Sequence, residues 1–191
     1  MSDTVRPQQQ TERIPLPAPK LLRQESPVSV NGLQTVSESR DAIRRVMSHI
    51  DSRMLIVVGP CSIHDTSAAL EYMTRLAELS SGLSDKLLIV ARAYFEKPRT
   101  TVGWRGLIND PRMDGTYDMA EGLRLARALL VKITDMGLPV ATELLDTATH
   151  DYYTDLVSFG AIGARTTESQ PHRAMARRDG VCWRIPFLHW V

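Results

Sequence analysis

Cysteine is scarce in this chain of 191 residues, net charge is almost absent, and no long apolar run occurs. Cys61 and Cys182 are too few for a disulfide framework, so each reads as a reduced thiol, whether buried, ligating or reactive. No apolar stretch approaches the roughly 20 residues of a bilayer span, and Met1-Ser2-Asp3-Thr4 lacks the basic-then-apolar start of a secretory signal. The expected address is the cytosol, with no membrane partner. A formal charge of +1 leaves no broad basic face, which argues against nucleic acid as a partner. A hydrophobic content of 43% excludes a disordered or fibrous class and describes an ordinary globular chain.

What is present begins with proline. Pro7, Pro15, Pro17, Pro19 and Pro27, with the tract Gln8-Gln9-Gln10, make residues 1–34 read as an extended arm, either a tail or a strap on a neighbouring subunit. Thr35-Val36-Ser37-Glu38 has the spacing of a capping box, and Val36, Ile43, Val46, Met47 and Ile50 recur at helical intervals after it. From residue 54 short apolar runs alternate with amphipathic stretches, the pattern of βα units around a parallel sheet. Strands are expected at Met54 to Val58, Leu87 to Ala93, Pro139 to Glu143 and Gly160 to Ala164. Helices are expected from Ser67 to Leu79, with Leu70, Met73, Leu76 and Leu79 on one face, and from Asp118 until Gly137 stops it. A short helix should span Asp151 to Val157. The fold class is α/β, and four βα units are about half of a (β/α)8 barrel.

Each expected strand ends beside a residue with usable chemistry: Cys61, Arg92, Glu143 and Arg165. The carboxyl ends of parallel strands share one edge, so these groups should face one pocket. The loop Lys97-Pro98-Arg99-Thr100-Thr101-Val102-Gly103-Trp104 adds two fixed cations and two hydroxyls to that edge. Arginine grips carboxylate or phosphate with a planar fork, so an anionic substrate is expected. Plainer readings exist for each residue taken singly. A cysteine after an apolar strand is most often a packed thiol, a basic loop is usually a solvated surface, and Glu143 could pair with a neighbouring cation. Trp104 reads equally as packing or as contact, and Asn109-Asp110-Pro111 as a turn that fixes the loop.

Four segments carry a more specific signal: Gly59-Pro60-Cys61-Ser62-Ile63-His64-Asp65, Tyr94 through Trp104, Gly106-Leu107-Ile108-Asn109-Asp110-Pro111, and Gly160 through Gln170. In this order they resemble the metal-dependent class I 3-deoxy-D-arabino-heptulosonate 7-phosphate synthases, also called phospho-2-dehydro-3-deoxyheptonate aldolases, over about residues 35 to 176. The resemblance implies a TIM barrel with an N-terminal extension. It implies a transferase that joins phosphoenolpyruvate to erythrose 4-phosphate, releasing phosphate, as the first step of the shikimate route to aromatic amino acids. By the same resemblance Arg92, Lys97 and Arg165 hold phosphoenolpyruvate, with Arg92 and Lys97 also counted as catalytic. Glu143 and Ala164 lie near that site, and Pro98, Arg99 and Thr100 meet erythrose 4-phosphate. Cys61 is one ligand of a divalent metal that polarises the aldehyde. The intact family also implies a homo-oligomer.

After Arg173 the letters depart from the family. Its fifth strand carries a lysine in a Gly-Phe-Lys-Asn-Gly-Thr run, and residues 177–191 contain nothing similar, so they read as a non-family tail. The remaining metal ligands of the family, a histidine, a glutamate and an aspartate, lie on later strands. The expectation is a truncated product with a shifted reading frame and little or no synthase activity alone. The alternative is a non-catalytic fragment that associates with a full-length synthase. Half a barrel should expose apolar surface, which Ile185 through Val191 would partly cover.

Overall fold

The computed structural model describes residues 15–99, 102–178 and 180–184, with Arg165 and Arg184 described by backbone alone. The described part of the expected arm holds one short helix and the start of a longer one. Helix α1 spans Pro19–Glu25, with proline in its first turn where the missing N–H costs nothing, and α2 spans Val30–Met47. Ser29 caps α2 by accepting from Gly32 N at 3.0 Å, so the helix starts before the Thr35–Glu38 box. That box lies inside the helix, where the Thr35 hydroxyl donates to Asn31 O instead of capping anything. The apolar positions of α2 continue upstream of the box, with Gly32, Val36, Ser39 and Ile43 buried, and this stripe decides where the helix begins.

Five parallel strands follow in sheet order β1-β2-β3-β4-β5: Met54–Val58, Leu87–Arg92, Val140–Leu144, Phe159–Ile162 and Cys182–Arg184. The expectation of four βα units therefore falls short by one strand. β5 forms because alternation satisfies it: Cys182, opposite Phe159, turns to one face of the sheet, and Trp183, opposite Gly160, turns to the other. Gly160 offers the indole room, since a Cβ there would meet the Trp183 ring at 2.1 Å. Gly160→Ala is accordingly expected to expel Trp183 and undock β5. Tryptophan emission would then shift to longer wavelength and amide exchange at 182–184 would accelerate; unchanged spectra would contradict this.

Helices α3 (Thr66–Ser81) and α4 (Met119–Asp135) cover one face of the sheet. Asp65 caps α3, accepting from Ser67 N and Ala68 N, and Asp118 caps α4, accepting from Glu121 N. Helix α4 buries Leu123, Ala126, Leu130 and Ile133, as its spacing predicts. On α3 Ala69, Met73 and Leu76 are buried, but Leu79, in the last turn, is 57% exposed. β1 lies at one edge of the described sheet, where half a barrel should expose apolar surface, and Met54 is 62% exposed. The segment expected as one short helix at 151–157 is two 3-10 turns, His150–Tyr152 and Thr154–Leu156.

Helix α2 lies across the amino ends of β4 and β5. Ser39 bonds Ser158 at 2.7 Å, Arg40 donates to Val157 O and Thr154 O, Arg44 donates to Gly180 O, and the Cys182 thiol donates to Arg40 O. Ile43, Leu88, Val90, Ala141, Phe159 and Cys182 form an apolar layer there. That end of the sheet is shut, and the carboxyl ends of the strands remain open.

Candidate active site

The segment after β1 folds over the end of β2. Gly59 permits the approach, since a Cβ on it would lie 2.5 Å from Arg92 O, and Ile63 N donates to Tyr94 O at 2.8 Å. Two of the expected cations consequently meet at Cys61. Arg92 Nη2 donates to Cys61 O at 3.1 Å, and Lys97 Nζ lies 3.6 Å from Cys61 Sγ. The Arg92 guanidinium also sits 4.4 Å from the centre of the Tyr94 ring. Burial, with Glu143 nearby, pushes the Tyr94 hydroxyl above its ordinary range. Arg92 Nε is buried with no acceptor among the described residues, so one fork of the guanidinium lacks the partner that buried donors ordinarily have.

The loop after β2 turns back on itself. Lys97 N donates to Arg105 O at 2.9 Å and Ile108 N to Phe95 O, while Gly106 packs so closely that a Cβ would stand 2.2 Å from Phe95 O. The Trp104 indole donates to Asp110 O at 2.7 Å and Asp110 accepts from Gly115 N, so both belong to the loop's own scaffold. Glu143, at the end of β3, lies against the loop after β4, since a Cβ on Gly163 would be 2.6 Å from its Oε1. Ala164 is exposed in the 3-10 turn Ala164–Thr166, where Arg165 also sits. Pro98 and Arg99 are exposed on the wall of a cleft of ≈ 360 Å³. Thr100 and the side chain of Arg165 lie outside the described residues.

The same cleft is lined by residues that the sequence reading did not single out, among them Glu96, Asp146 and His172. His172 Nε2 meets Leu145 O, which only accepts, so that nitrogen carries the proton and Nδ1 accepts from the Ser169 hydroxyl at 2.7 Å. Glu96 is the more telling omission. A carboxylate between apolar Phe95 and a site lysine, on the exit of a buried strand, is a signal that the sequence does display.

A metal fits the described residues poorly. No three of His, Cys, Asp or Glu converge among them, and the Cys61 thiol has the Lys97 ammonium, itself a cation, at 3.6 Å. No helix of the described residues is long and apolar enough to cross a membrane.

The chain is similar to known proteins. The model of the DAHP synthetase I family matches residues 27–181. The Phe-sensitive phospho-2-dehydro-3-deoxyheptonate aldolase of Escherichia coli is 56% identical over 158 residues, which is 83% of this chain and 45% of that protein. The aldolase of Amycolatopsis methanolica is 52% identical, over 83% of this chain and 78% of its own length. The solved aldolase of Francisella tularensis superposes with a TM-score of 0.88 at 47% identity, covering 91% of this chain and 51% of that one. The chain thus spans about half the length of the Escherichia coli and Francisella relatives. With these matches over most of its residues, the chain belongs to the class I DAHP synthetase family of phospho-2-dehydro-3-deoxyheptonate aldolases.

Proposed function

We propose that the carboxyl rim binds phosphoenolpyruvate and that the whole protein condenses it with erythrose 4-phosphate in the cytosol, as a homo-oligomer. The observation that carries this reading is the buried, unmatched Arg92 Nε beside Lys97, a pair of cations held at Cys61 with a donor left over for an incoming anion. Arg92 and Lys97 would orient the carboxylate and phosphate and offset their charge as the enol carbon attacks. Arg165, Glu143 and Ala164 are proposed on the same side, and Pro98, Arg99 and Thr100 where the second phosphate lies. In the whole protein Cys61 is proposed as one donor to a divalent cation. Residues 1–34, 35–176 and 177–191 are proposed as arm, barrel half and tail.

A second reading is a non-catalytic fragment that pairs with a full-length synthase. It is favoured by the outer edge of β1, where Met54 and Val57 are exposed. Calorimetric titration with phosphoenolpyruvate tests the first reading. Lys97→Met is expected to weaken binding about tenfold to a hundredfold, the worth of one hydrogen bond to a charged group. Retention of the wild-type affinity would reject the assignment.

A further inference from the structure

Glu96 follows the buried Phe95 and precedes Lys97, yet it is only 6% exposed while lining the cleft. Two donors from another strand's exit hold its carboxyl. The Thr149 hydroxyl lies 3.0 Å from Oε1, and Asp146 N donates to Oε2 at 3.3 Å. These bonds tie the exit of β2 to the turn after β3, and so set where Lys97 begins.

Thr149 Oγ1 is also 3.2 Å from Asp146 O. A hydroxyl has one proton to give, so it cannot donate to both oxygens at once. Two arrangements satisfy the same heavy atoms. With Glu96 charged, the Thr149 hydroxyl donates to Oε1. With Glu96 neutral, Oε1–H donates to Thr149 Oγ1, which turns its own proton to Asp146 O. The Asp146 N–H bond to Oε2 survives in both. The pocket therefore accommodates either protonation state without moving a heavy atom.

The charges around Glu96 come from every side of the cleft. Lys97 and Arg99 stand on its own loop, with Arg105 where that loop folds back; Asp146 and Glu143 come from the exit of β3; His172 comes from the segment after β4; the buried Tyr153 bonds Thr149 from behind. Burial dominates, and with Asp146 and Glu143 it pushes the Glu96 carboxyl up to about 7, against the pull of Thr149 and of Asp146 N–H.

We propose that Glu96 is a positioning residue of this cleft and takes up a proton from solvent when a doubly charged anion binds beside Lys97 and Arg99. This rests on the reading of the rim as an anion site. An ionised Glu96 and a dianion in one cleft of ≈ 360 Å³ repel each other. Protonating Oε1 removes that repulsion, and Thr149 redirects its proton so that no donor is orphaned. Anion affinity therefore falls as Glu96 ionises, and by linkage the bound anion holds the proton on more tightly.

Sulfate is the suitable probe, because its own charge stays constant across the window. Titration calorimetry of the full chain, in two buffers of different ionisation heat, reads both affinity and proton uptake. Between about pH 6 and about pH 8.5 the wild-type affinity is expected to fall about tenfold, one pKa unit of coupling, with uptake of part of a proton near neutrality. Glu96→Gln mimics the neutral arrangement, its amide donating to Thr149 and its oxygen accepting from Asp146 N–H, and should flatten both profiles. Thermal unfolding without sulfate gives an independent reading. Between 4.5 and about 7 the folded chain keeps a proton that the unfolded chain has released, so stability falls as pH rises through that window, and Glu96→Gln loses this slope. Sulfate binding without proton uptake, or an unaltered pH profile in Glu96→Gln, overturns the proposal and leaves the anion site standing. Sulfate that fails to bind at either pH overturns both.

Discussion

Arg127→Met is expected to destabilise the chain by about 3 kcal/mol or more, a large share of the 5–15 kcal/mol that holds a domain together. The Arg127 side chain is only 1% exposed. Its guanidinium grips Asp155 with both nitrogens, Nη1 to Oδ1 at 2.8 Å and Nη2 to Oδ2 at 2.9 Å. It also donates to Tyr152 O and, through Nε, to Ser26 O. One side chain thus joins α4, the turn after β3 and the link between α1 and α2. Methionine fills similar volume, so the loss is chiefly electrostatic: a carboxylate and two carbonyls remain with their donor gone. Asp155 is 27% exposed and has Arg23 3.9 Å away, which limits the penalty and places it at the low end of the range for broken buried pairs. Urea denaturation measures the effect. If the change stays below about 1 kcal/mol, the pair is a surface-like bridge and this account is wrong.

Gly106→Ala carries the largest expected effect on the rim. Gly106 has φ 109°, and an added Cβ would lie 2.2 Å from Phe95 O and 2.6 Å from Glu96 Cα. Both obstacles are backbone, so no side chain can rotate away. The loop must move off the strand exit, breaking the bond from Lys97 N to Arg105 O and displacing Glu96 and Lys97 together. Anion binding should fall below detection and stability should drop by several kcal/mol, on the order of an overpacked core position or more. Gly115→Ala separates the two causes. Its φ of 77° is also positive and disfavours alanine, but nothing stands within 4 Å of the added carbon. It should cost only about 1–2 kcal/mol of backbone strain and leave binding intact. Equal damage from both variants would show that conformation, rather than collision, decides.

The readable parts of this fold are those where one physical rule acts alone. Helix α4 follows from its Asp118–Glu121 cap and its four apolar positions, and β2 from an unbroken apolar run. The start of α2 differs from the Thr35 box because Ser29 caps the helix one turn and a half earlier, where Gly32 lies close against the end of α4. β5 was missed because its letters do not resemble the family's, whereas a strand needs only the right alternation and a glycine opposite its indole. At the rim, Arg92, Lys97 and Cys61 converge as their places at strand ends imply. Glu96 carries a local signal, a carboxylate between Phe95 and Lys97, but its weight comes from burial and from Thr149, a partner 53 residues away.

The stopper formed by α2 also ties the two ends of the described chain to each other. The Cys182 thiol rests on a carbonyl 142 positions earlier in the chain, and Arg44 reaches 136 positions forward to Gly180. Such distant closures are entropically slow compared with the neighbouring βα pairings. Loosening α2 therefore takes the anchors of Gly180 and Cys182 with it, so the far end of the described chain leans on its near end.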